Sequence, residues 1–302
     1  MKVYDLLILG AGPAGITASV YAVRKKLEFL VITQDIGGQT AWSGDIENYT
    51  GYQFITGPEL TLKFQEHMDS YGIAVNMPEA VKDIKRQDNL FKTITDKSEY
   101  LAKTLIVATG KSPKFIGVEG EKEYKNKGVT YCATCDGPIY KGKPIAVIGG
   151  GNSGLEAALQ MVKISPKVHI IDVASELSGD PIMVDKLKNN PAVTIWNKAK
   201  VKKIYGDNFV KGLEIEQDEK MHKLDVQGIF VEIGLDPNSK FAGILSKNER
   251  AEIIVDCHNR TNIEGIFAAG DVTNVPEKQI IIACGEGSKA CLSAFRYLST
   301  HF

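Results

Sequence analysis

The stretch Gly10-Ala11-Gly12-Pro13-Ala14-Gly15 follows a continuous apolar run, Val3 to Leu9, and precedes a segment with helical spacing. This order predicts a buried strand, a glycine turn and a helix. In such a turn Gly10 permits the bend, Gly12 lets the backbone approach a pyrophosphate, and Gly15 lets the helix pack closely on the strand. The stretch therefore predicts an α/β unit that binds a dinucleotide at the amino end of the helix.

A second copy of this pattern occurs near the middle of the chain. Gly149-Gly150-Gly151-Asn152-Ser153-Gly154 follows the apolar run Pro144 to Ile148 and leads into another helical segment. The next predicted strand, Val168 to Ile171, ends at Asp172, where an acid is placed to hold a ribose hydroxyl. Two copies predict an α/β protein with two Rossmann-like, three-layer domains. The predicted nucleotide-contacting residues of the second copy are Gly149, Gly151, Gly154 and Asp172.

Length and composition agree with two domains of an ordinary globular protein. The chain has 302 residues and is 43% hydrophobic and 24% charged, with a formal net charge of -1. Because that charge gives no general attraction to nucleic acid or to a membrane surface, neither is an expected partner. Five cysteines cannot all pair with one another, which favours a reducing, cytoplasmic location. No stretch approaches a membrane span, and the amino terminus reads as a buried strand.

The stretch Cys132-Ala133-Thr134-Cys135-Asp136 predicts a redox site. Two intervening residues let both sulfurs meet on one tight turn, and one thiol of such a pair is often acidified to a thiolate that attacks another disulfide. Asp136 is placed to return a proton to the departing thiol as a general acid. The alternative is half of a zinc site, but zinc needs four ligands and the chain offers no second pair at ligand spacing. We therefore expect no metal.

Charge is unevenly distributed after the second glycine stretch. Residues 168–185 contain no Lys or Arg and carry four acidic residues, which would repel a ribose 2′-phosphate. Residues 186–203 hold six lysines and no acidic residue. That run is either a solvated face or a docking surface for an acidic partner. Residues 111–128 are charged and poor in apolar side chains, as in a linker between domains.

The chain resembles the low-molecular-weight thioredoxin reductases over nearly its whole length. The resemblance is carried by both glycine stretches, by the Cys132 to Asp136 stretch, and by Gly38-Gln39, Glu47-Asn48, Ala108-Thr109-Gly110 and Gly270-Asp271. It implies a homodimer with a discontinuous FAD-binding domain, 1–112 and 241–302, and an inserted NAD(P)-binding-type domain, 113–240. The residues that it implies for FAD are Gly10, Gly12, Gly15, Gly38, Gln39, Asn48, Thr109, Gly110, Gly270, Asp271 and Gln279. From composition alone, the loops around Gln39 and Asn48 are equally compatible with plain surface.

The resemblance also implies a reaction. Electrons would pass from FAD to a Cys132-Cys135 disulfide and on to thioredoxin, with Cys135 next to the flavin, Cys132 attacking thioredoxin and Asp136 as the acid. A non-catalytic flavin redox sensor is the alternative class.

One departure concerns the electron donor. Members that use NADPH carry His-Arg-Arg-x-x-x-Arg after the second-domain strand, whereas this chain has Asp172-Val173-Ala174-Ser175-Glu176-Leu177-Ser178. In this respect the chain resembles the ferredoxin-linked branch of the family. The sequence therefore predicts reduced ferredoxin as the preferred electron donor, with NADH as the second candidate and NADPH as the third.

Overall fold

The structure is a computed structural model that describes residues 2–43, 45–46, 48–131 and 133–302. The chain folds into two compact units, one formed by Met1–Ser112 with Asp236–Phe302 and the other by Pro113–Leu235. The predicted boundary at 240/241 thus lies a few residues inside the first unit. The α/β fold class is confirmed, since parallel sheets bordered by helices form the centre of each unit.

The helices and strands follow one another in three groups along the chain. The first group is β1 (Val3–Ala11), α1 (Pro13–Arg24), β2 (Phe29–Ile36), β3 (Asp45–Ile46), β4 (Ile55–Thr56), α2 (Gly57–Ser70), β5 (Val75–Asn76), β6 (Val81–Gln87), β7 (Leu90–Thr95), β8 (Glu99–Val107) and β9 (Lys111–Pro113). The second is β10 (Val129–Thr130), α3 (Ala133–Asp136), β11 (Ile145–Ile148), α4 (Asn152–Met161), β12 (Val168–Ile171), α5 (Pro181–Lys188), β13 (Val193–Trp196), β14 (Ala199–Gly206), β15 (Val210–Gln217), β16 (Lys220–Asp225), β17 (Gly228–Val231) and β18 (Leu235–Pro237). The third is β19 (Ile266–Ala268) and α6 (Ile280–His301).

The main sheet of the first unit has the order β5-β2-β1-β8-β7-β6. Strands β5, β2, β1 and β8 are parallel, β7 and β6 are antiparallel, and β19 adds a parallel pairing to the second half of β8. Side chains of β1 alternate between two cores, with Leu6 and Ile8 on one face and Leu7 and Leu9 on the other. Burial of both faces explains why β1 reads as an unbroken apolar run.

Helices α1 and α6 pack closely on one face of this sheet. A Cβ at Gly287 of α6 would lie 2.0 Å from the carbonyl oxygen of Ala14 on α1, so only glycine permits this approach. Several buried positions of α6 nearby are also small, among them Ala283, Ala290 and Ala294. Small residues therefore hold the amino-terminal turn of α1 against a helix from the far end of the chain.

The second unit contains a five-stranded parallel sheet, β10-β17-β11-β12-β13, and an antiparallel sheet, β14-β15-β16. The interpretation of residues 111–128 as a linker is wrong, because residues 113–128 fold as part of this unit. Ile116 and Val118 pack against its core. Glu121 is 2% exposed and accepts hydrogen bonds from the backbone N–H groups of Ile116 and Gly117. Local composition did not reveal the packing of Ile116 and Val118, because it depends on the tertiary fold.

Across the described ranges, no helix combines the length and the apolar character that crossing a membrane requires.

Candidate active site

The first glycine turn joins β1 to α1. Gly10 has φ +107°, and a Cβ there would lie 2.4 Å from the carbonyl oxygen of Ala108. A Cβ at Gly15 would lie 1.9 Å from the carbonyl oxygen of Gly10, so this position closes the helix onto the turn. A Cβ at Gly12, in contrast, would have no atom of the described residues within 4 Å, and Gly12 caps α1 without any side-chain hydrogen bond. The amino end of α1 therefore presents free backbone amides beside an open glycine face.

Gly38 and Gln39 lie at the same edge of the sheet as this turn. A Cβ at Gly38 would be 3.6 Å from the Cα of Gly12. The Gln39 Nε2 donates a hydrogen bond to the carbonyl oxygen of Lys111 at 3.1 Å, just beyond the end of β8. The glycine turn, the loop after β2 and the segment after β8 thus meet at the carboxyl ends of the parallel strands, where ligands of open α/β sheets bind.

Thr109 and Gly110 lie in that segment after β8. The Thr109 hydroxyl donates to the carbonyl oxygen of Asn238 at 2.7 Å, and the Asn238 side-chain amide donates back to the carbonyl oxygen of Thr109 at 2.8 Å. The backbone N–H of Asn238 donates to the carbonyl oxygen of Gly110 at 2.9 Å. Sequence reasoning did not single out Asn238, whose partners are distant in the chain.

Asn48 and Gln279 are brought into direct contact. The Asn48 Nδ2 donates to the Gln279 Oε1 at 3.0 Å, which joins the loop after β3 to the residue that precedes α6. Glu47, which the sequence pairs with Asn48, lies outside the described residues. Like α1, α6 has no side-chain hydrogen bond at its amino-terminal cap and no acid in its first turn.

Asp271 follows β19 and lies in a group of charged residues that sequence reasoning missed. Burial raises the pKa of Asp271, while the charges of Lys278 and Lys111 act in the opposite direction. Both lysines contact Glu252, whose carboxylate is 2.8 Å from the Lys111 Nζ and 3.4 Å from the Lys278 Nζ. Gly270, just before Asp271, has φ +77° and donates its N–H to the Glu286 Oε2 at 2.8 Å. A buried carboxylate from α6 therefore fixes this turn.

The second glycine turn joins β11 to α4 and repeats the geometry of the first. A Cβ at Gly149 would lie 2.3 Å from the carbonyl oxygen of Glu232, and one at Gly154 would lie 2.0 Å from the carbonyl oxygen of Gly149. Gly151 again faces open space and caps α4 without a side-chain hydrogen bond.

Asp172 stands beside this turn at the end of β12. Its Oδ2 accepts a hydrogen bond from the backbone N–H of Gly150, and its Oδ1 accepts one from the N–H of Ala174 at 2.6 Å. Both carboxylate oxygens are thus held by backbone amides, which leaves one further acceptor site on each.

Within the dithiol stretch, residues Ala133–Asp136 form the short helix α3. Cys132 lies outside the described residues, and Cys135 is described by its backbone alone. Asp136 ends α3, and its Oδ2 accepts a hydrogen bond from the Thr130 hydroxyl on β10. Burial raises the pKa of Tyr140, and the charge of Asp136 acts in the same direction. Asp136 also lines a cleft of about 720 Å³.

Glu232, which sequence reasoning did not single out, directly follows β17. Its carbonyl oxygen lies at the second glycine turn, 2.3 Å from where a Cβ of Gly149 would stand. Burial raises the pKa of Glu232 to about 7, and the charge of Glu156 adds to this effect, whereas the backbone N–H of Ala133 opposes it.

Two similar curated proteins are each 40% identical to the chain. One is named NADH dehydrogenase, from Ferdinandcohnia aciditolerans, and matches over 98% of this chain and 57% of its own length. The other, from Staphylococcus aureus, is named as a component of alkyl hydroperoxide reductase and matches over 98% of this chain and 59% of its own length. The chain thus spans somewhat more than half of these relatives.

Solved thioredoxin reductases share the fold. The enzyme from Lactococcus lactis aligns with a TM-score of 0.81 and 34% identity over 98% of this chain and 99% of that one. A ferredoxin-flavin thioredoxin reductase from Clostridium acetobutylicum aligns with a TM-score of 0.56 and 30% identity over 99% of both chains. The expected placement in the ferredoxin-linked branch is therefore not supported.

The family model described as pyridine nucleotide-disulphide oxidoreductase matches residues 4–287. Oxidoreductases of this family bind FAD, and FAD is the cofactor here. The first unit fits a dinucleotide, because the open face of Gly12 adjoins the uncapped amino end of α1 and Asp271 lies partly buried after β19. The chain belongs to the pyridine nucleotide-disulphide oxidoreductase family.

Proposed function

We propose that the protein is an NADH-dependent flavoprotein that reduces a disulfide of a thioredoxin-like protein. The observation that carries the choice of donor is the Asp172 carboxylate, which is held against the Gly150 amide at the second glycine turn. The resemblance supports a relay through Cys132 and Cys135. It also implies a homodimer, which size-exclusion chromatography with light scattering tests directly.

The environment of Asp172 favours a ribose with free hydroxyls. Each carboxylate oxygen already accepts one backbone N–H and retains capacity for a hydroxyl donor. A 2′-phosphate at this position would lie beside a carboxylate, and residues 168–185 supply no Lys or Arg to neutralise it. Like charges at contact distance disfavour binding, so NADPH should bind much more weakly than NADH.

The relatives support the same donor. The NADH dehydrogenase from F. aciditolerans carries the donor in its name, and the S. aureus relative is part of an alkyl hydroperoxide reductase. This chain covers only 57% and 59% of the length of these proteins, so we do not assign their electron acceptors to it. We propose a separate thioredoxin-like protein as the acceptor.

Residues of the two glycine turns are proposed to hold the two nucleotides. Gly10, Gly12 and Gly15 would form the FAD pyrophosphate site, with Asp271 and the Asn48-Gln279 pair at the carboxyl edge of the same sheet. The FAD site at this edge is proposed to include five more residues: Gly38, Gln39, Thr109, Gly110 and Gly270. Gly149, Gly151, Gly154 and Asp172 would hold NADH. When bound, FAD accepts two electrons from the donor and passes them to a disulfide.

The protein groups then handle thiols and protons. Cys132, as a thiolate, attacks the acceptor disulfide and forms a mixed disulfide, while the released acceptor sulfur takes a proton from Asp136. Cys135 then attacks Cys132, which frees the second acceptor thiol and leaves the Cys132-Cys135 disulfide. The cleft beside Asp136 has Ile139 and Phe209 in its lining, 65% and 66% exposed, and such exposed apolar side chains suit a protein acceptor.

Anaerobic flavin reduction tests the donor. Purified protein is mixed with NADH, NADPH or reduced ferredoxin, and loss of flavin absorbance is followed by stopped flow. We expect NADH to bleach the flavin at least tenfold faster than NADPH at equal concentration. Bleaching by reduced ferredoxin alone would refute the proposal that NADH is the donor. It would favour the lysine-rich run 186–203 as a docking surface for ferredoxin. That run is already partly neutralised, since Lys202 pairs with Glu216 and Lys203 with Glu119.

The acceptor requires a second mixing step. Oxidised thioredoxin added to the NADH-reduced protein should restore flavin absorbance, and Cys132→Ser should abolish that recovery because the attacking thiolate is lost. Reduction by NADH without recovery on addition of disulfide proteins would favour a redox sensor.

A further inference from the structure

Two lysine side chains are largely buried at the carboxyl edge of the main sheet of the first unit. Lys111 begins β9, just beyond the end of β8, and its side chain is 14% exposed. Lys278 lies two residues before α6, and its side chain is 23% exposed. Burying an ammonium group costs free energy unless acceptors or negative charges surround it. Groups of the protein or of a ligand must therefore balance these two charges.

One carboxylate, that of Glu252, lies between the two ammonium groups. Its Oε1 is 2.8 Å from the Lys111 Nζ and 3.4 Å from the Lys278 Nζ, and the side chain is 8% exposed. Asn248 holds Glu252 in place, because its Nδ2 donates to the Oε2 at 2.7 Å and its Oδ1 accepts the Glu252 N–H at 3.0 Å. Glu252 therefore fixes both lysine side chains but supplies one negative charge for two positive ones.

Part of the hydrogen-bonding capacity of the two lysines remains unused. An ammonium group has three N–H donors. The Lys111 Nζ donates to Glu252, and the Lys278 Nζ donates to the carbonyl oxygen of Thr273 at 2.5 Å and faces Glu252. Within the described part of the chain neither ammonium group makes a further hydrogen bond, so Lys111 retains two donors and Lys278 one. Because both side chains keep some exposed surface, acceptor atoms of a ligand can reach these donors.

Residues proposed to contact FAD surround the two lysines. The Gln39 Nε2 donates to the carbonyl oxygen of Lys111 at 3.1 Å, and Gln279 directly follows Lys278. Burial raises the pKa of Asp271, and the charges of Lys278 and Lys111 oppose this rise, so both ammonium groups act on that carboxylate. The unused donors thus lie within the proposed FAD site.

FAD offers the acceptor atoms that these donors require. It carries a negatively charged diphosphate, hydroxyl groups on its ribityl chain and carbonyl oxygens on its flavin ring. Hydrogen bonds from a charged donor are shorter and stronger than those from a neutral one. We propose that Lys111 and Lys278 are further cofactor-binding residues, which donate their unused N–H groups to acceptor oxygens of FAD. This inference rests on the proposed FAD site in the first unit.

Release of FAD from the diluted holoenzyme tests the proposal. Free FAD is followed by its fluorescence, and the dependence of release on protein concentration gives the Kd. Lys111→Gln and Lys278→Gln each keep a polar side chain beside Glu252 but remove the positive charge. We expect each substitution to raise the Kd for FAD about five- to fiftyfold, because a charged donor to the cofactor is lost.

Conservative variants separate a role in binding from a role in packing. Lys111→Arg and Lys278→Arg keep the charge and the donors, so each should bind FAD more tightly than the matching Gln variant. Exposed Lys240→Gln is the control and should leave the Kd unchanged. An unchanged Kd in either Gln variant at positions 111 and 278, or equal losses in the Arg and Gln variants, would overturn the proposal. Because neither NADH nor a disulfide takes part, a failed reduction assay leaves this result interpretable.

Discussion

The carboxylate of Glu286 on α6 accepts the backbone N–H of Gly270 at 2.8 Å, and both groups are buried. This contact orients the turn that places Asp271 at the carboxyl end of β19. The same oxygen lies 3.5 Å from the Thr273 hydroxyl. One acidic side chain from the last helix thus organises a turn proposed to contact FAD.

Glu286→Ala should therefore destabilise the protein and weaken FAD retention. An unpaired buried N–H costs about 1–3 kcal/mol, and the free energy of urea unfolding should fall by that amount. Visible absorbance after gel filtration measures the FAD that remains bound. Exposed Glu277→Ala is the matched control and should change neither quantity; equal effects in the two variants would contradict the assignment.

Asp172→Asn should impair NADH use selectively. In this variant an amide donor replaces one carboxylate oxygen, which would otherwise accept the Gly150 N–H or a ribose hydroxyl. We therefore expect KM for NADH to rise about tenfold or more, which corresponds to a loss of ~1.4 kcal/mol of binding free energy per tenfold. FAD content should not change. Glu176→Gln, in the same acidic segment but exposed, serves as the control. An unaltered KM in Asp172→Asn would remove Asp172 from the nucleotide site.

Asp136→Asn should slow disulfide reduction by about 10²- to 10⁴-fold, because the released thiol loses its proton donor. Reduction of the flavin by NADH should be unaffected, which separates this role from nucleotide binding. Asp218→Asn is a suitable control, since Asp218 is exposed and does not line this cleft. A normal turnover rate in Asp136→Asn would indicate a carboxylate that only accepts the Thr130 hydroxyl.

The sequence predicted the elements whose signals are local. Each glycine turn, and Asp172, directly follows an apolar run that the sequence predicts as a strand. In the structure the two turns join a strand end to the amino end of a helix, and Asp172 directly follows β12. Asn238, Glu286 and Glu232 escaped prediction, because their partners lie far away in the chain and no local pattern marks them. Residues 113–128 were misread because Ile116 and Val118 pack against a core whose other residues extend far along the chain, which local composition does not reveal.

Glu252 should make stability depend on acidic pH. Burial disfavours its charged form, but hydrogen bonds from Lys111 and Asn248 and the charge of Lys278 outweigh this and lower its pKa to about 2. Because the folded-state value lies below the unfolded one, the stabilisation is present above about pH 4.5 and is lost as the pH falls towards 2. Glu252→Gln should flatten the fall in unfolding free energy across that window. Exposed Glu249→Gln should leave it unchanged.

Glu232 should make the stability of the protein fall as the pH rises, which is the opposite of the effect of Glu252. Its folded-state pKa, about 7, lies above the ordinary value of 4.5, so its contribution to stability is complete below about pH 4.5 and is lost as the pH rises through 7. Glu232→Gln carries no such charge, and its Tm relative to the parent should therefore increase between pH 5 and pH 8 and then level off. Thermal melts of the air-oxidised holoenzyme measure this difference without interference from thiol ionisation. Glu156→Gln should give a similar but smaller trend, because it lowers the pKa of Glu232 without removing the carboxylate. A Tm difference that stays constant from pH 5 to pH 8 would show that Glu232 does not titrate in this range.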